Sequence, residues 1–464
     1  MSRDYRDEIN QNIRLTGGDF FIDPEIKQVG DKDVLHWNNT LLALTYELDY
    51  NGLIVGEPGF AKTTAMKVLS VFSGYPFDLY EAAQIQGHPD QTMETMLARL
   101  DFSKLREKES VIWLTSAYLP VRLIDEVNRL TGGNQDEVLN ALETGRFNYL
   151  NATFYTGKTP FLATANHPDD GNHVLIPPIR DRFATHVEVG HIGSTYLEEI
   201  ERAEDNIEEL KDDELTTKII DIINDPKKTV KQRLELIDKE RQDYVKFIQS
   251  DEIGGFVHSK EDRKAVQKAI RAIELDDHAR IFLQMIDSEL NTTAQYGRKR
   301  SNDPIDKSNH AKNLASTNVQ NAASPRAIIR GIKRYAQGLA YLLGDKITEK
   351  HHINAVAPHA LGHRLEFTQD FKAAHETEKR EGRYGMTREM HFAKKLVEGV
   401  EQNFSGADGK GGIKARADLL RVAFLKPETL TKKQKKEYEE MLDNAEILDH
   451  PLLREYATRL KERR

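Results

Sequence analysis

Residues 53–63 carry the strongest chemical signal in the sequence, because a short apolar stretch leads into a glycine-bearing loop that ends in Lys62 and Thr63. The backbone N–H groups of such a loop converge on nucleotide phosphates, and the helix that follows adds the positive end of its dipole. Lys62 would reach the β- and γ-phosphates of ATP, and the Thr63 hydroxyl would ligate the Mg²⁺ that bridges them. The residues expected to bind the nucleotide are Gly56, Glu57, Pro58, Gly59, Phe60, Ala61, Lys62, Thr63 and Thr64.

Ala61 is the position at which this loop departs from the usual G-x-x-x-x-G-K-[ST] pattern, which has its second glycine there. A methyl group is readily tolerated only where φ is negative. For Ala61 to fit the loop, φ at this position would therefore have to be negative. An ordinary strand, turn and helix with a chance lysine is the alternative interpretation of this segment taken alone.

Residues 121–129 supply the carboxylates that a magnesium nucleotide needs, since four mainly apolar residues lead into Asp125 and Glu126. Asp125 would hold Mg²⁺ through its water shell, because this ion prefers oxygen ligands and keeps several waters. Glu126 would act as general base toward the water that attacks the γ-phosphate. A strand that ends in solvated acids is the alternative. The position of Asp125, 63 residues after Lys62 in what would be a parallel strand of the same sheet, favours the catalytic interpretation.

Two further polar positions would complete the chemistry. Residues 161–165 form an apolar run that ends in Asn166, and the carboxyl ends of parallel strands face the ligand crevice. Asn166 would then lie beside the attacking water, although a lone Asn after a strand is often a turn residue. Arg182 is a candidate arginine finger, which neutralises charge on the transferred phosphoryl group. Arg180 and a simple surface salt bridge are the competing assignments.

Arg326 follows Ser324 and Pro325, which suit the N-cap and the first position of a helix. A cation in the first turn opposes the helix dipole by a few tenths to about 1 kcal/mol. Phosphate binding would explain its presence, and an exposed arginine without a role is the alternative.

The composition narrows the function classes. The chain has 464 residues, enough for several domains, and its net charge of −9 disfavours binding to polyanions over a broad surface. It has no cysteine, which excludes disulfides, thiolate metal sites and thiol nucleophiles. The charged N-terminal residues do not form a secretory signal, and no run approaches about 20 apolar residues. These features predict a cytoplasmic protein with no membrane segment.

The hydrophobic periodicity predicts an α/β layer fold with a mostly parallel sheet up to about residue 190, and charged helices after it. The predicted strands are 52–56, 78–85, 121–125, 160–165 and 184–189, and the predicted helices of this part are 35–48, 62–73 and 134–143.

Taken together, these pieces resemble the AAA+ ATPases, and more narrowly the MoxR family, in the branch shared with MCM helicases and magnesium-chelatase subunits. The motifs that carry the resemblance are G-E-P-G-F-A-K-T at 56–63, D-E-V-N-R at 125–129, D-R-F at 181–183, S-P-R-A at 324–327 and A-P-H-A-L-G-H-R-L at 357–365. Gln84 to Asp90 are also similar, just before what would be the helix-2 insert of the branch, around 91–115. Residues 146–160 would form its hairpin ahead of the sensor strand.

The resemblance implies a P-loop AAA+ core followed by an all-α lid and a helical C-terminal extension. The implied domains are an N-terminal segment (1–34), the ATPase core (35–192), a helical insertion (193–300), a linker (301–323), the lid (324–366) and the extension (367–464). The resemblance also implies a ring of subunits, expected to be a hexamer, with ATP at the subunit interfaces. Lys62, Thr63, Asp125 and Glu126 would act within one subunit, with Asn166 as sensor 1. Arg182 would act from the neighbouring subunit, and Arg326 would be sensor 2.

The leading functional hypothesis is an ATP-driven, chaperone-like remodeller of a protein client, working with a von Willebrand factor A-type partner as members of the similar MoxR family commonly do. The alternative is a DNA translocase or helicase similar to MCM, which Lys158 in the expected hairpin would favour and the acidic net charge disfavours. A ring whose nucleotide is mainly structural is a third possibility. The client, the ring number and the role of the helical insertion cannot be read from the sequence.

Overall fold

The computed structural model describes residues 4–92, 96, 98–100, 111–149, 152–155, 157–167, 175–293, 297–300, 303–305, 314–380, 387–406, 412–443 and 450–463. These residues divide into two compact units, the first up to Ile270 and the second from Arg271. No helix within these ranges is long and apolar enough to cross a lipid bilayer.

The first unit is built around its β-strands. These are β1 Ile26–Val29, β2 Lys32–Leu35, β3 Asn51–Val55, β4 Ile85–Gln86, β5 Ala98–Leu100, β6 Val111–Trp113, β7 Arg122–Asp125, β8 Arg146–Tyr149, β9 Ala152–Tyr155, β10 Phe161–Ala165 and β11 Thr185–Glu188. Five of them form a parallel sheet in the order β11-β3-β10-β7-β4, and the other pairs, β1–β2, β5–β6 and β8–β9, are antiparallel hairpins. The predicted parallel α/β fold is confirmed.

Helices flank this sheet. They are α1 Arg6–Arg14, α2 Trp37–Glu47, α3 Lys62–Val71, α4 Phe77–Ala83, α5 Thr115–Tyr118, α6 Gly132–Thr144, α7 Pro177–Arg180, α8 Leu197–Glu209, α9 Asp213–Asn224, α10 Val230–Glu240, α11 Gln242–Ile248 and α12 Lys260–Ala272. Every residue of the central strand β10 is buried, as expected for a parallel strand covered on both faces.

The predicted strand at 78–85 is wrong. Residues 77–83 form α4, and only Ile85–Gln86 pair with the sheet, as β4. Phe77, Tyr80 and Ala83 are all buried and recur at every third residue, which places them on one face of a helix. The aromatic and apolar content of this segment resembled a buried strand, but its spacing is helical.

The second unit is helical, with one short parallel pair between β12 Glu274–Leu275 and β13 Ile347–Thr348. Its helices are α13 Asp277–Leu290, α14 Arg334–Leu343, α15 Lys350–Leu361, α16 Gln369–His375, α17 Arg388–Ser405, α18 Gly412–Leu425, α19 Lys432–Asp443 and α20 Pro451–Arg463, with a π-helical stretch at Ala327–Lys333. The proposed insertion at 193–300 therefore spans the division between the units. The domain boundaries stay predictions, and much of the proposed linker and of the 91–115 insert lies outside the described residues.

His258 fastens α1 and α2 to the segment before α12. Its Nδ1 lies 2.8 Å from Glu47 Oε1 and its Nε2 lies 3.0 Å from Glu8 Oε2, and its side chain is buried. Burial alone would lower the pKa of His258, but the hydrogen bonds and charges of Glu47 and Glu8 outweigh it and raise the pKa above the usual value. This pair of carboxylates therefore favours the imidazolium.

This contact predicts a pH-dependent stability. A histidine whose folded pKa lies above its unfolded value of about 6.5 stabilises the fold most below that pH, and the contribution is lost as pH rises through the folded pKa. We expect His258→Gln to lower the free energy of unfolding by roughly 3 kcal/mol near pH 6 and by progressively less at higher pH. Urea unfolding of the wild type and of His258→Gln, from about pH 6 upward, measures the difference in the free energy of unfolding. Glu8→Gln is the matched control, because it removes one of the two carboxylates, and the stabilisation by His258 should then disappear at a lower pH. A stability difference between the wild type and His258→Gln that stays constant with pH would exclude the charged interaction.

Candidate functional site

The loop between β3 and α3 lies at the carboxyl edge of the parallel sheet, between Val55 and Lys62. Gly56 follows the strand, and a Cβ there would lie 2.0 Å from the backbone oxygen of Val189. Only glycine fits this close approach. Gly87, after β4, is restricted in the same way, because its Cβ would lie 2.1 Å from the backbone oxygen of Glu126.

Ala61 has φ +53°, so the expected negative φ is wrong. The loop adopts the left-handed conformation that the more usual glycine would supply without strain. For a residue with a Cβ this conformation costs roughly 1–2 kcal/mol. The chain therefore keeps the loop geometry and stores strain at the residue before Lys62.

Lys62 is tied to the loop and to the neighbouring strand. Its Nζ donates to the backbone oxygens of Gly56 (2.9 Å) and Glu57 (2.7 Å) and to Oδ1 of Asn166 (2.8 Å). Burial lowers the pKa of the Lys62 ammonium, although Asp125, Glu126 and Glu57 oppose the change. The predicted lysine and the predicted Asn166 therefore meet at one point.

Asp125 ends β7 and faces the start of α3. The hydroxyl of Thr63 donates to its Oδ1 over 2.8 Å, and the hydroxyl of Thr164 on β10 donates to the same oxygen. A hydroxyl and a carboxylate oxygen form the donor set that Mg²⁺ prefers, so these residues fit that ion. Thr164 is fully buried and was missed from the sequence, where it was only one residue of an apolar run.

Glu126 is held by polar groups from neighbouring segments. Oε1 accepts from Asn166 Nδ2 (2.9 Å) and pairs with Arg129 (3.2 Å), and Oε2 accepts from Gln86 Nε2 (3.2 Å). Its φ is +51°, and its backbone N–H donates to the Thr164 hydroxyl. Gln86 and Arg129 were also missed. Both residues lie within segments that carry the family resemblance, but neither was assigned a role.

The backbone of Arg182 lies near the opposite end of β3. The backbone oxygen of Arg182 accepts from the side chain of Asn51, the first residue of that strand. Its guanidinium pairs with Glu143 and, at 3.3 Å, with Asp181. Arg180 ends the short helix α7 and is half-buried. The length of β3, about 13 Å, separates the backbone of Arg182 from the loop that carries Lys62.

Arg326 belongs to the second unit, where it immediately precedes the π-helical stretch and is half-buried. Ser324 caps this turn, because its side chain accepts from the N–H of Ala327 (3.1 Å). The predicted capping is confirmed, and the phosphate-binding role of Arg326 stays a prediction.

A cavity of about 320 Å³ adjoins the loop. One wall is formed by loop residues, another by the segment before β1, and a third by the end of the sheet and α8. Its lining includes Phe21, Phe60, Ala61, Thr64, Ile192 and Ile200. A mainly apolar cavity beside a phosphate-binding loop suits a flat heterocyclic base. This cavity was not predicted from the sequence, because its walls come from three separate segments.

Comparison with known proteins agrees with this architecture. Residues 51–183 match the AAA domain family, dynein-related subfamily. Among solved structures, the chain is similar to a protein from Cytophaga hutchinsonii ATCC 33406, determined at 2.00 Å and named only as a candidate ATPase, with a TM-score of 0.53 and 17% sequence identity over 86% of this chain and 94% of that chain. At this identity the likeness shows the fold alone. No match was found among curated proteins. Residues 51–183 of the first unit thus match an AAA domain with its parallel sheet, whereas ATPase activity and membership of the MoxR branch stay predictions.

The strain at Ala61 can be tested by exchanging glycine and alanine within the loop. We expect Ala61→Gly to raise the free energy of unfolding by about 1 kcal/mol, because the left-handed conformation is then unstrained. Gly59 is the matched control, since it has φ +85° and a Cβ there would meet no atom within 4 Å. Gly59→Ala should therefore lower stability by a similar amount through the backbone alone. Denaturant unfolding measures both, and a destabilised Ala61→Gly variant would contradict the assigned strain.

Proposed function

We propose that this protein hydrolyses MgATP at the carboxyl edge of the sheet in its first unit and uses the energy to remodel a protein client. The proposal rests on a hydrogen-bonded network that joins Lys62, Asn166, Glu126 and Asp125. Lys62 donates to Asn166, and Asn166 donates to the Glu126 carboxylate. The Thr164 hydroxyl donates to the Asp125 carboxylate and accepts from the backbone N–H of Glu126. Phosphoryl transfer to water requires these groups: a lysine, two acids with distinct partners and an amide at the end of a strand.

The loop and its lysine bind the triphosphate. The backbone N–H groups of the loop and the N-terminus of α3 face the phosphates, and Lys62 exchanges its carbonyl partners, Gly56 and Glu57, for phosphate oxygens. A phosphate beside the ammonium would oppose the lowering of its pKa by burial. The adjoining cavity takes the base, whose flat apolar faces lie against Phe60 and the walls around it.

Thr63 and Asp125 would hold Mg²⁺ through the hydroxyl and the carboxylate oxygen that lie 2.8 Å apart. When bound, the ion neutralises charge on the β- and γ-phosphates. Thr164 bonds to the same carboxylate from the neighbouring strand and keeps Asp125 in one orientation.

Glu126 is the general base of the proposal. Among the described residues, its Oε1 has two partners, Asn166 and Arg129, whereas its Oε2 has one, the Gln86 side chain. A carboxylate oxygen has two lone pairs, so Oε2 keeps one with which to accept the proton of the attacking water. Asn166 is bonded to both Lys62 and Glu126, and in this proposal it would contact the γ-phosphate and that water.

Arg182 supports assembly into a ring. Its location beside the first residue of β3 keeps it away from the loop that follows the same strand. An arginine finger in this place serves a nucleotide of another subunit, so each site would be completed by its neighbour. We propose a homo-oligomer, a hexamer in the branch that the sequence resembles. Glu143 and Asp181 would hold the guanidinium until the interface forms.

The protein client is proposed from the acidic charge of the chain, −9, together with the resemblance to MoxR proteins and their von Willebrand factor A-type partners. Nucleic acid is disfavoured by the same charge.

Trapping of the client with Glu126→Gln in the presence of ATP should recover a protein. Recovery of DNA with a steep salt dependence, and of no protein, would favour the translocase instead.

Steady-state ATP hydrolysis tests the catalytic proposal. We expect turnover per subunit to rise with protein concentration, because the site is completed by a neighbour. Glu126→Gln should lower turnover by about 100-fold or more without weakening nucleotide binding. Arg182→Ala should lower it by about 1,000-fold. Arg180→Ala is the matched control, since Arg180 ends α7 two residues before Arg182, and it should retain activity.

Mixing the two inactive variants tests whether Glu126 and Arg182 of different subunits complete one site. A subunit with Arg182→Ala keeps Glu126, and a subunit with Glu126→Gln keeps Arg182, so some mixed interfaces hold both groups. Turnover should therefore reappear in the mixture. Activity that is independent of concentration and survives Arg182→Ala would overturn the assignment of this arginine to a neighbouring site.

A further inference from the structure

Arg122 is a fully buried cation at the start of the catalytic strand β7, with 1% of its surface exposed. No carboxylate among the described residues pairs with it. Its partners are the backbone oxygen of Ala117 (3.1 Å), the hydroxyl of Thr159, and the ring faces of Phe147 (4.6 Å) and Phe161 (5.5 Å). Its Nε has no hydrogen-bond partner within the described part of the chain. A guanidinium buried without an acid costs several kcal/mol, so its presence needs a reason.

The partners of Arg122 come from different segments. Phe147 is on β8 of the β8–β9 hairpin, and Thr159 lies between that hairpin and β10. Ala117 is in α5, just after the β5–β6 hairpin. Phe161, on β10, is also the residue that pairs with Arg122 in the sheet. The guanidinium is planar, so it stacks and donates in fixed directions and specifies the relative position of all four.

The two hairpins also contact each other through aromatic rings. Phe154 of β9 lies 5.4 Å from Trp113 of β6 and 5.1 Å from Tyr118 of α5, between ring centroids. Arg122 is therefore the cationic end of a buried cluster that joins both hairpins. From it, β7 leads directly to Asp125 and Glu126, about 10 Å along the strand.

We propose that Arg122 is a positioning residue through which the hairpins β5–β6 and β8–β9 set the place of the catalytic carboxylates. This inference rests on the proposed function. A methionine of similar size would pack in the same space without a desolvation cost, but it would not fix these directions.

Burial lowers the pKa of Arg122 to about 9, so the side chain stays cationic at neutral pH. The stacking on Phe147 and Phe161 and the donation to Ala117 therefore act together under ordinary conditions.

The test compares Arg122→Met with Arg233→Met in the full-length protein. Arg233 is a second buried arginine next to the same cluster, since it donates to the Tyr118 hydroxyl (3.1 Å), but it lies on α10 rather than on β7. Both variants should lose stability. Only Arg122→Met should lower kcat for ATP, by roughly 10- to 100-fold with KM within about twofold, because binding groups are unchanged and the base is misplaced. Arg122→Lys should not restore kcat, since lysine lacks the planar guanidinium.

A second measurement separates this inference from the proposed ATPase activity. Hydrogen exchange of the segment 121–129 should become at least about tenfold faster in Arg122→Met and stay unchanged in Arg233→Met. If the wild-type protein does not hydrolyse ATP, the proposed function fails and exchange alone decides the positioning role. Should Arg122→Met not fold, Phe147→Leu removes one stacking face and should move both readouts in the same direction. Equal behaviour of the arginine variants in exchange and kcat would overturn the inference.

Discussion

The parallel pairing of β7 and β3 on either side of β10 is the constraint on which the candidate site depends. In this register, Ala165 lies beside Val55 and Ala163 beside Ile124, so the residues that follow the three strands end at the same edge. Lys62, Asp125 and Asn166 come from positions far apart in the sequence and meet only because of this alignment. A shift of β7 by one residue would turn Asp125 to the opposite face.

Strain and close backbone contacts maintain that edge. Ala61 and Glu126 both have positive φ, and each directly precedes or carries a group that the proposed chemistry uses. Such conformations cost of order 1–3 kcal/mol and persist where the surroundings determine them. Here the surroundings are the contact of Gly87 with the backbone of Glu126 and the bond from Glu126 N–H to Thr164. The catalytic carboxylate is therefore positioned by backbone geometry as much as by its side-chain partners.

The sequence predicted most of the sheet and the loop, because buried parallel strands and glycine-bearing turns leave local patterns. It did not predict the helix at residues 77–83, where aromatic residues suggested a strand although their spacing was helical. Thr164, Gln86 and Arg122 were missed for a different reason. Their roles depend on which strand lies beside them, and a local pattern does not contain that information. The negative φ expected at Ala61 was wrong, because the geometry of the loop, and not the conformational preference of alanine, determines this angle.

The most direct test of the nucleotide site is the affinity of the wild-type protein for a slowly hydrolysed ATP analogue, measured by calorimetry with and without Mg²⁺ and beside Lys62→Ala. We expect binding that Mg²⁺ strengthens and that Lys62→Ala weakens by about 100-fold, because the phosphates would lose their charge-assisted bonds to the ammonium. Equal affinity in both proteins, with no effect of Mg²⁺, would show that the edge formed by β3, β10 and β7 is not the nucleotide site.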